Sequence, residues 1–209
     1  AAAVSGAAGF GGAHLLLPLL SNIVGPTTAI PLLTLGQIIG NLSRIYFGFS
    51  KIQWRPVGLF LITALPAALF GSTTFVELPK DLIQRLIGIA ILVFVGFRLL
   101  NRKSSLRHRQ LLMGGGAVVG FLSDLVGSAG PIGAAVFLEL KLPPLVYIAS
   151  EASTALCIHA VKMAVYEQHL SLKPSQWLLV VILGVGMIIG HCLVKKLSLA
   201  FQKRHSEDL

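Results

Sequence analysis

Gln37, Asn41 and Arg44 stand at i, i+4 and i+7 inside an apolar stretch, so a helix there puts all three on one face. Arg44 carries a planar fork of donors suited to an oxyanion, and Asn41 can add or accept a hydrogen bond beside it. Ala155, His159 and Lys162 repeat the spacing exactly 118 residues on, with Glu151 one turn earlier. Two such columns, holding an Asn, a His and two cations, can line a path for an anion. Ionisable residues inside apolar spans are functional candidates by default. Arg44 and Lys162 lie near the ends of their segments, so snorkelling to lipid headgroups competes with substrate contact. Asn41 and His159 lie deeper and must find partners. Imidazole ordinarily titrates near neutral pH, which makes His159 a proton-coupling candidate, with packing against a neighbouring helix as its plainer role. Glu151 is a second such candidate, with Lys162 or His159 as expected partner. Asp124 is a third; relaying protons, binding a cation and capping a broken helix all remain open for it. His14 is a weaker candidate.

The second signal is glycine. Ser5 to Leu20 reads SGAAGFGGAHLLLPLL, and Ser123 to Leu138 reads SDLVGSAGPIGAAVFL. Gly9 and Gly12 recur 118 residues later as Gly127 and Gly130, and Ser5, Pro26 and Pro56 recur as Ser123, Pro144 and Pro174. In the same register Arg44 falls on Lys162 and Arg55 on Lys173. Glycines in a membrane helix permit either close packing or a break. Half-helix N-termini at a break direct partial positive charge at an anion, and paired Gly-interrupted segments point to a transporter site. Gly9, Gly12, Gly127 and Gly130 therefore join Gln37, Asn41, Arg44, His159 and Lys162 as substrate-binding candidates.

These residues need membrane-spanning helices to position them. The 209-residue chain is 55% hydrophobic and 12% charged, with mean hydropathy +0.82; a soluble domain carries about 25% charged residues. Charges are confined to islands between seven apolar segments, 1–20, 27–49, 56–76, 81–100, 111–138, 145–166 and 174–194, of the length a bilayer requires. The fifth is long and interrupted by GSAGP, and is expected as a helix followed by a broken or re-entrant piece. The expected fold is an all-α integral membrane protein. Its domains are a first repeat (1–100), a basic cytoplasmic linker (101–110), a second repeat (111–194) and a basic tail (195–209). Four spans in the first half make the two repeats parallel. The fourth helix of the second half maps to 199–218, past Leu209, so an eighth span is expected to be missing.

Lys51 and Arg55, and then Arg102, Lys103, Arg107 and Arg109, place loops 50–55 and 101–110 in the cytoplasm by the positive-inside rule. Seven spans place the tail, with Lys195, Lys196, Lys203 and Arg204, outside, against that rule; either an eighth helix is missing or the tail lies at the interface. The opening AAAVSGAAG lacks the charged region of a signal peptide. The net charge of +9 reflects loop lysines and arginines rather than nucleic-acid binding. Cys157 and Cys192 lie inside apolar segments and read as packing residues. No metal cluster, HExxH or GxSxG is present, and the last span carries no mid-span Lys for a Schiff base. The reading is therefore not an enzyme, with no metal and no cofactor. Its partners are a small anion and the lipid bilayer, with a homo-oligomer open.

The phrase GAAGFGGAHLLLPLL, its second version GFLSDLVGSAGPIGAAVFL and the basic central loop resemble the TauE/SafE family of sulfite exporters over nearly the whole chain. That resemblance implies eight helices in the cytoplasmic membrane and export of sulfite, sulfonates or other small organosulfur anions, with proton coupling as an added expectation. A passive small-anion channel and a non-transporting membrane subunit are the alternatives. This chain departs from the family in lacking the eighth helix, and at Asp124, where the family has a small residue like Gly6.

Overall fold

The computed structural model describes residues 12–77, 108–125, 130–169 and 174–207, with isolated positions 79, 82 and 89. Among the described residues the chain forms seven helices: α1 Gly12–Val24, α2 Pro26–Gly48, α3 Trp54–Glu77, α4 His108–Leu125, α5 Gly130–Leu138, α6 Pro144–His169 and α7 Pro174–Glu207. A short 3-10 turn, Phe49–Lys51, joins α2 to α3. These are not the seven spans expected from hydropathy. The apolar segment 81–100 lies almost wholly outside the described residues. The segment 111–138 is divided between α4 and α5, and the link 126–129 between them also lies outside. The last helix runs on through the basic stretch to Glu207 instead of stopping near residue 194. Lys, Gln, Leu and Ala are good helix formers, and no Gly or Pro falls between 191 and 207 to stop it.

Helix boundaries follow local chemistry where they are described. Gly25 links α1 to α2 with φ 80°, a conformation open to glycine and strained for other residues. Pro26 then opens α2 at a position where the missing N–H costs nothing. Pro144 opens α6 in the same way, 118 residues later.

The order of packing is what positions the site. α2 and α6 lie against each other; α6 also packs on α3, and α2 on α7. α4 lies along α3, α1 along α2, and α5 sits beside α4 and α6. The closest approach is α4 on α3. Gly116 and Gly120, one turn apart, meet the backbone carbonyls of Phe60 and Ala64 so closely that a methyl group at either would overlap them. Small residues at i and i+4 are the usual way for membrane helices to approach at backbone distance. The Thr63 hydroxyl crosses the same seam, donating to the Met113 carbonyl at 2.6 Å. Below it, Phe60 and Phe137 pack ring against ring at 5.4 Å in a core that includes Val57, Ala64, Val119 and Tyr147.

The distribution of polarity is inverted relative to a water-soluble bundle. Trp177, Leu178, Val181, Ile182, Val185, Ile188 and Ile189 form an exposed apolar stripe along α7, and Ile62, Leu69 and Phe70 do the same on α3. Asn41, Glu151, His159, Lys162 and His191 are buried instead. Exposed apolar faces, with ionisable side chains buried beside an apolar core, match a lipid environment. Trp54–Thr74 and Pro144–Glu167 are long and apolar enough to cross a membrane. Exposed Tyr46, Phe49 and Trp54 gather at the α2–α3 turn beside Lys51 and Arg55, the arrangement expected at a headgroup boundary.

Candidate functional site

The seam between α2 and α6 is where the polar groups converge. Helical periodicity turns Asn41 and Arg44 of α2 toward α6, as their spacing predicts. Arg44 Nη1 donates to Glu151 Oε2 at 3.1 Å, and Nη2 donates to Asn41 Oδ1. The side chains of Arg44 and Glu151 are only 9% and 3% exposed, so the ion pair is shielded from bulk solvent. Arg44 is therefore not snorkelling outward. Glu151 is paired with Arg44 across the seam, rather than with Lys162 or His159 of its own helix.

Lys162 is fully buried and also faces inward: Nζ donates to the Ser123 carbonyl at 2.8 Å, in the last turn of α4. The Ser123 hydroxyl turns back to the Gly120 carbonyl at 2.9 Å. Lys162 thus ties α6 to the end of α4 immediately before Asp124. The backbone of Asp124 belongs to α4; its side chain lies outside the described residues.

His159 sits between these cations on α6 and is 5% exposed. Arg44 and Lys162 are both near enough for their charges to act on its ring. His159 Nδ1 and Gln37 Nε2 are buried with no hydrogen-bond partner among the described residues. A buried polar atom without a partner carries a penalty of roughly 1–3 kcal/mol, and a polar ligand that reached these atoms would relieve it. α5 closes one side: Gly133, its second turn, faces Glu151, and a methyl group there would lie 3.9 Å from Oε1.

The glycine candidates are less fully placed. Gly12 and Gly130 are the first described residues of α1 and α5, while Gly9 and Gly127 lie outside the described residues, as do both proposed breaks. The side chain of His14 is also outside them. Sequence reasoning missed one polar pair, Ser43 of α2 and His191 of α7, whose Oγ and Nδ1 lie 2.6 Å apart. A histidine inside an apolar span was the available signal. It has no polar counterpart 118 residues away except Thr73, so the register that exposed the other candidates did not mark it.

Arg44, Asn41, Gln37 and the unpartnered His159 nitrogen, with Lys162 buried on the same helix as His159, are groups able to hold a small oxyanion, and the Glu151 carboxylate beside Arg44 can exchange a proton. Among the described residues no group of three His, Cys, Asp or Glu side chains is arranged to hold a metal ion. A family profile described as sulfite exporter TauE/SafE matches residues 1–205 of the chain. No curated protein and no solved structure was found to match it.

Proposed function

The chain belongs to the TauE/SafE sulfite exporter family, and on that footing we propose that it exports small sulfur oxyanions such as sulfite, or short sulfonates, through the α2–α6 seam. The observation that carries the proposal is the buried cluster of Arg44, Asn41 and Glu151. Arg44 offers a bidentate donor edge to an oxyanion. Glu151 occupies part of that edge as an internal counter-anion. An entering anion competes with it for the guanidinium, and two negative charges beside one Arg in a low-dielectric seam repel strongly. Protonation of Glu151 relieves the conflict, which couples anion binding to proton uptake. Gln37, His159 and Lys162 complete the wall, and Gly9, Gly12, Gly127 and Gly130 stay in the reading on their 118-residue register. Asp124 and His159 are further stations for the proton.

The 118-residue register relates the two halves, and prolines open α2 and α6 alike. The contacts speak against the expected parallel arrangement: Arg44 and Gly48, near the end of α2, meet Glu151 and Ala149 near the start of α6, so these two equivalent helices run in opposite directions. Parallel halves would run them the same way, and the reading therefore takes the halves as inverted. An experimental structure whose halves superpose about an axis along the membrane normal contradicts that part.

Flux of sulfite in proteoliposomes tests the function. The expected result is sulfite movement that accelerates under an imposed pH gradient and reaches uphill accumulation. Flux indifferent to the gradient overturns proton coupling and favours a passive anion channel; no flux overturns transport.

A further inference from the structure

The helix contacts fix which helix ends share a face. Gly48, at the end of α2, lies against Ala149 and the Leu145 carbonyl near the start of α6. The Gln53 N–H, just before α3, donates to Ser150 Oγ at 3.0 Å. The end of α2, the start of α3 and the start of α6 therefore meet at the 49–53 turn. Lys51 and Arg55 stand there, and the positive-inside rule assigns this face to the cytoplasm.

Two more helices are tied to that face. Gly116 meets Phe60 and Gly120 meets Ala64, so α4 runs in the same direction as α3 and starts where α3 starts. Gly115 lies against Val136, and Gly133 against Val119, so α5 runs back along α4 and ends where α4 began. Lys141, with a left-handed φ of 52°, then turns the chain toward α6. At 1.5 Å per residue, residues 111–125 of α4 rise about 22 Å, against about 30 Å of hydrocarbon. The 9 residues of α5 rise about 14 Å. The far end of α4 is held inside the protein. Ser123 is buried, and its carbonyl, among the last that a helix leaves unpaired, accepts from the buried Lys162 Nζ at 2.8 Å.

The last helix gives an independent tie. Gly36 lies against Leu183, Gly40 against Met187, and Ser43 beside His191. α7 thus runs with α2, and its basic end lies on the face where α2 ends.

We propose that α4 and α5 are the arms of a re-entrant hairpin that enters and leaves on the cytoplasmic face, and that the basic end of α7 lies on that face with Lys51, Arg55 and Arg109. The pair adds no net crossing to the chain. A single crossing by 111–138 is what sends the tail outside in the count of seven spans. The hairpin returns Lys195, Lys196, Lys203 and Arg204 to the cytoplasm, in accord with the positive-inside rule and without an eighth helix. It also sets α3 and α7, equivalent in the 118-residue register, in opposite directions, as α2 and α6 are.

Single-cysteine accessibility tests the hairpin in the full chain, with Cys157 and Cys192 replaced by alanine. Glu139, exposed in the turn after α5, is compared with exposed Lys51 and Glu77 at the two ends of α3. A membrane-impermeant maleimide is applied to intact cells and to opened membranes. Glu77→Cys is expected to label in intact cells, and Lys51→Cys and Glu139→Cys only once the membranes are opened. Labelling of Glu139→Cys from the same side as Glu77→Cys overturns the proposal. Should the cysteine variants fail to fold, the unaltered chain fused after Leu209 to green fluorescent protein or to alkaline phosphatase gives a second readout, since α6 and α7 return the tail to the side of 139–143. Fluorescence without phosphatase activity is expected; phosphatase activity without fluorescence overturns the proposal. Neither readout involves transport, so a protein that moves no sulfite would lose the transport reading and keep the hairpin.

Discussion

Arg44 holds two partners at once, Asn41 on its own helix and Glu151 on the facing one. Removing one member of such a buried pair strands the other charge, which costs about 3–5 kcal/mol, whereas removing both is often close to neutral. Arg44→Ala and Glu151→Ala are therefore each expected to lower thermal stability sharply. The double substitution is expected to lose much less than their sum, read as a coupling energy from melting in detergent. Additive losses would mean that the two side chains do not share one buried interaction. The sequence made half of this legible. The i, i+4, i+7 spacing put Asn41 and Arg44 on one face, and the register with Lys162 marked both cations. The identity of Glu151's partner was not legible, because it depends on which helix faces α6, and the two residues are 107 positions apart. His191 was missed for a related reason: its significance comes from Ser43, 148 positions away.

At the scale of the helix, hydropathy located the described helices better than their ends. It counted α4 and α5 as one long segment interrupted at GSAGP, and it stopped α7 at the first lysines, although charge does not end a helix. Prolines did better: Pro26 and Pro144 open α2 and α6 as their restricted φ requires. Glycine content alone did not separate packing from breaking. In α4 it is packing that the structure shows, because Gly120 touches the Ala64 backbone of α3 while Gly114, on the same helix, faces open space. The pair gives a sharp contrast. Gly120→Ala is expected to force α3 and α4 apart and to cost about 1–3 kcal/mol. Gly114→Ala adds a methyl group that meets nothing, and is expected to be neutral or stabilising by up to about 1 kcal/mol through helix propensity. Comparable melting temperatures for the two variants would contradict the observed α3–α4 seam.

For the whole molecule, the organising fact is the inversion of polarity, with apolar stripes outside and ionisable groups within. A bilayer offers no water to those interior groups, so each must be paired inside the protein or await a ligand. Arg44, Glu151 and Lys162 are paired; Gln37, His159 and His191 each keep one buried nitrogen with no partner among the described residues. Composition made the membrane setting legible at once, because 12% charge in 209 residues cannot cover a soluble surface. The gathering of these groups on α2 and on two helices that pack against it, α6 and α7, is tertiary and was not legible. It makes α2 the centre of the proposed path. The measurement that bears on this most directly is binding of sulfite, thiosulfate, sulfate and short sulfonates to the purified protein, repeated with Arg44→Ala and His159→Ala. The account predicts saturable binding of a sulfur oxyanion by the wild type, weakened about tenfold or more in each variant. Wild-type affinity in both variants would contradict it.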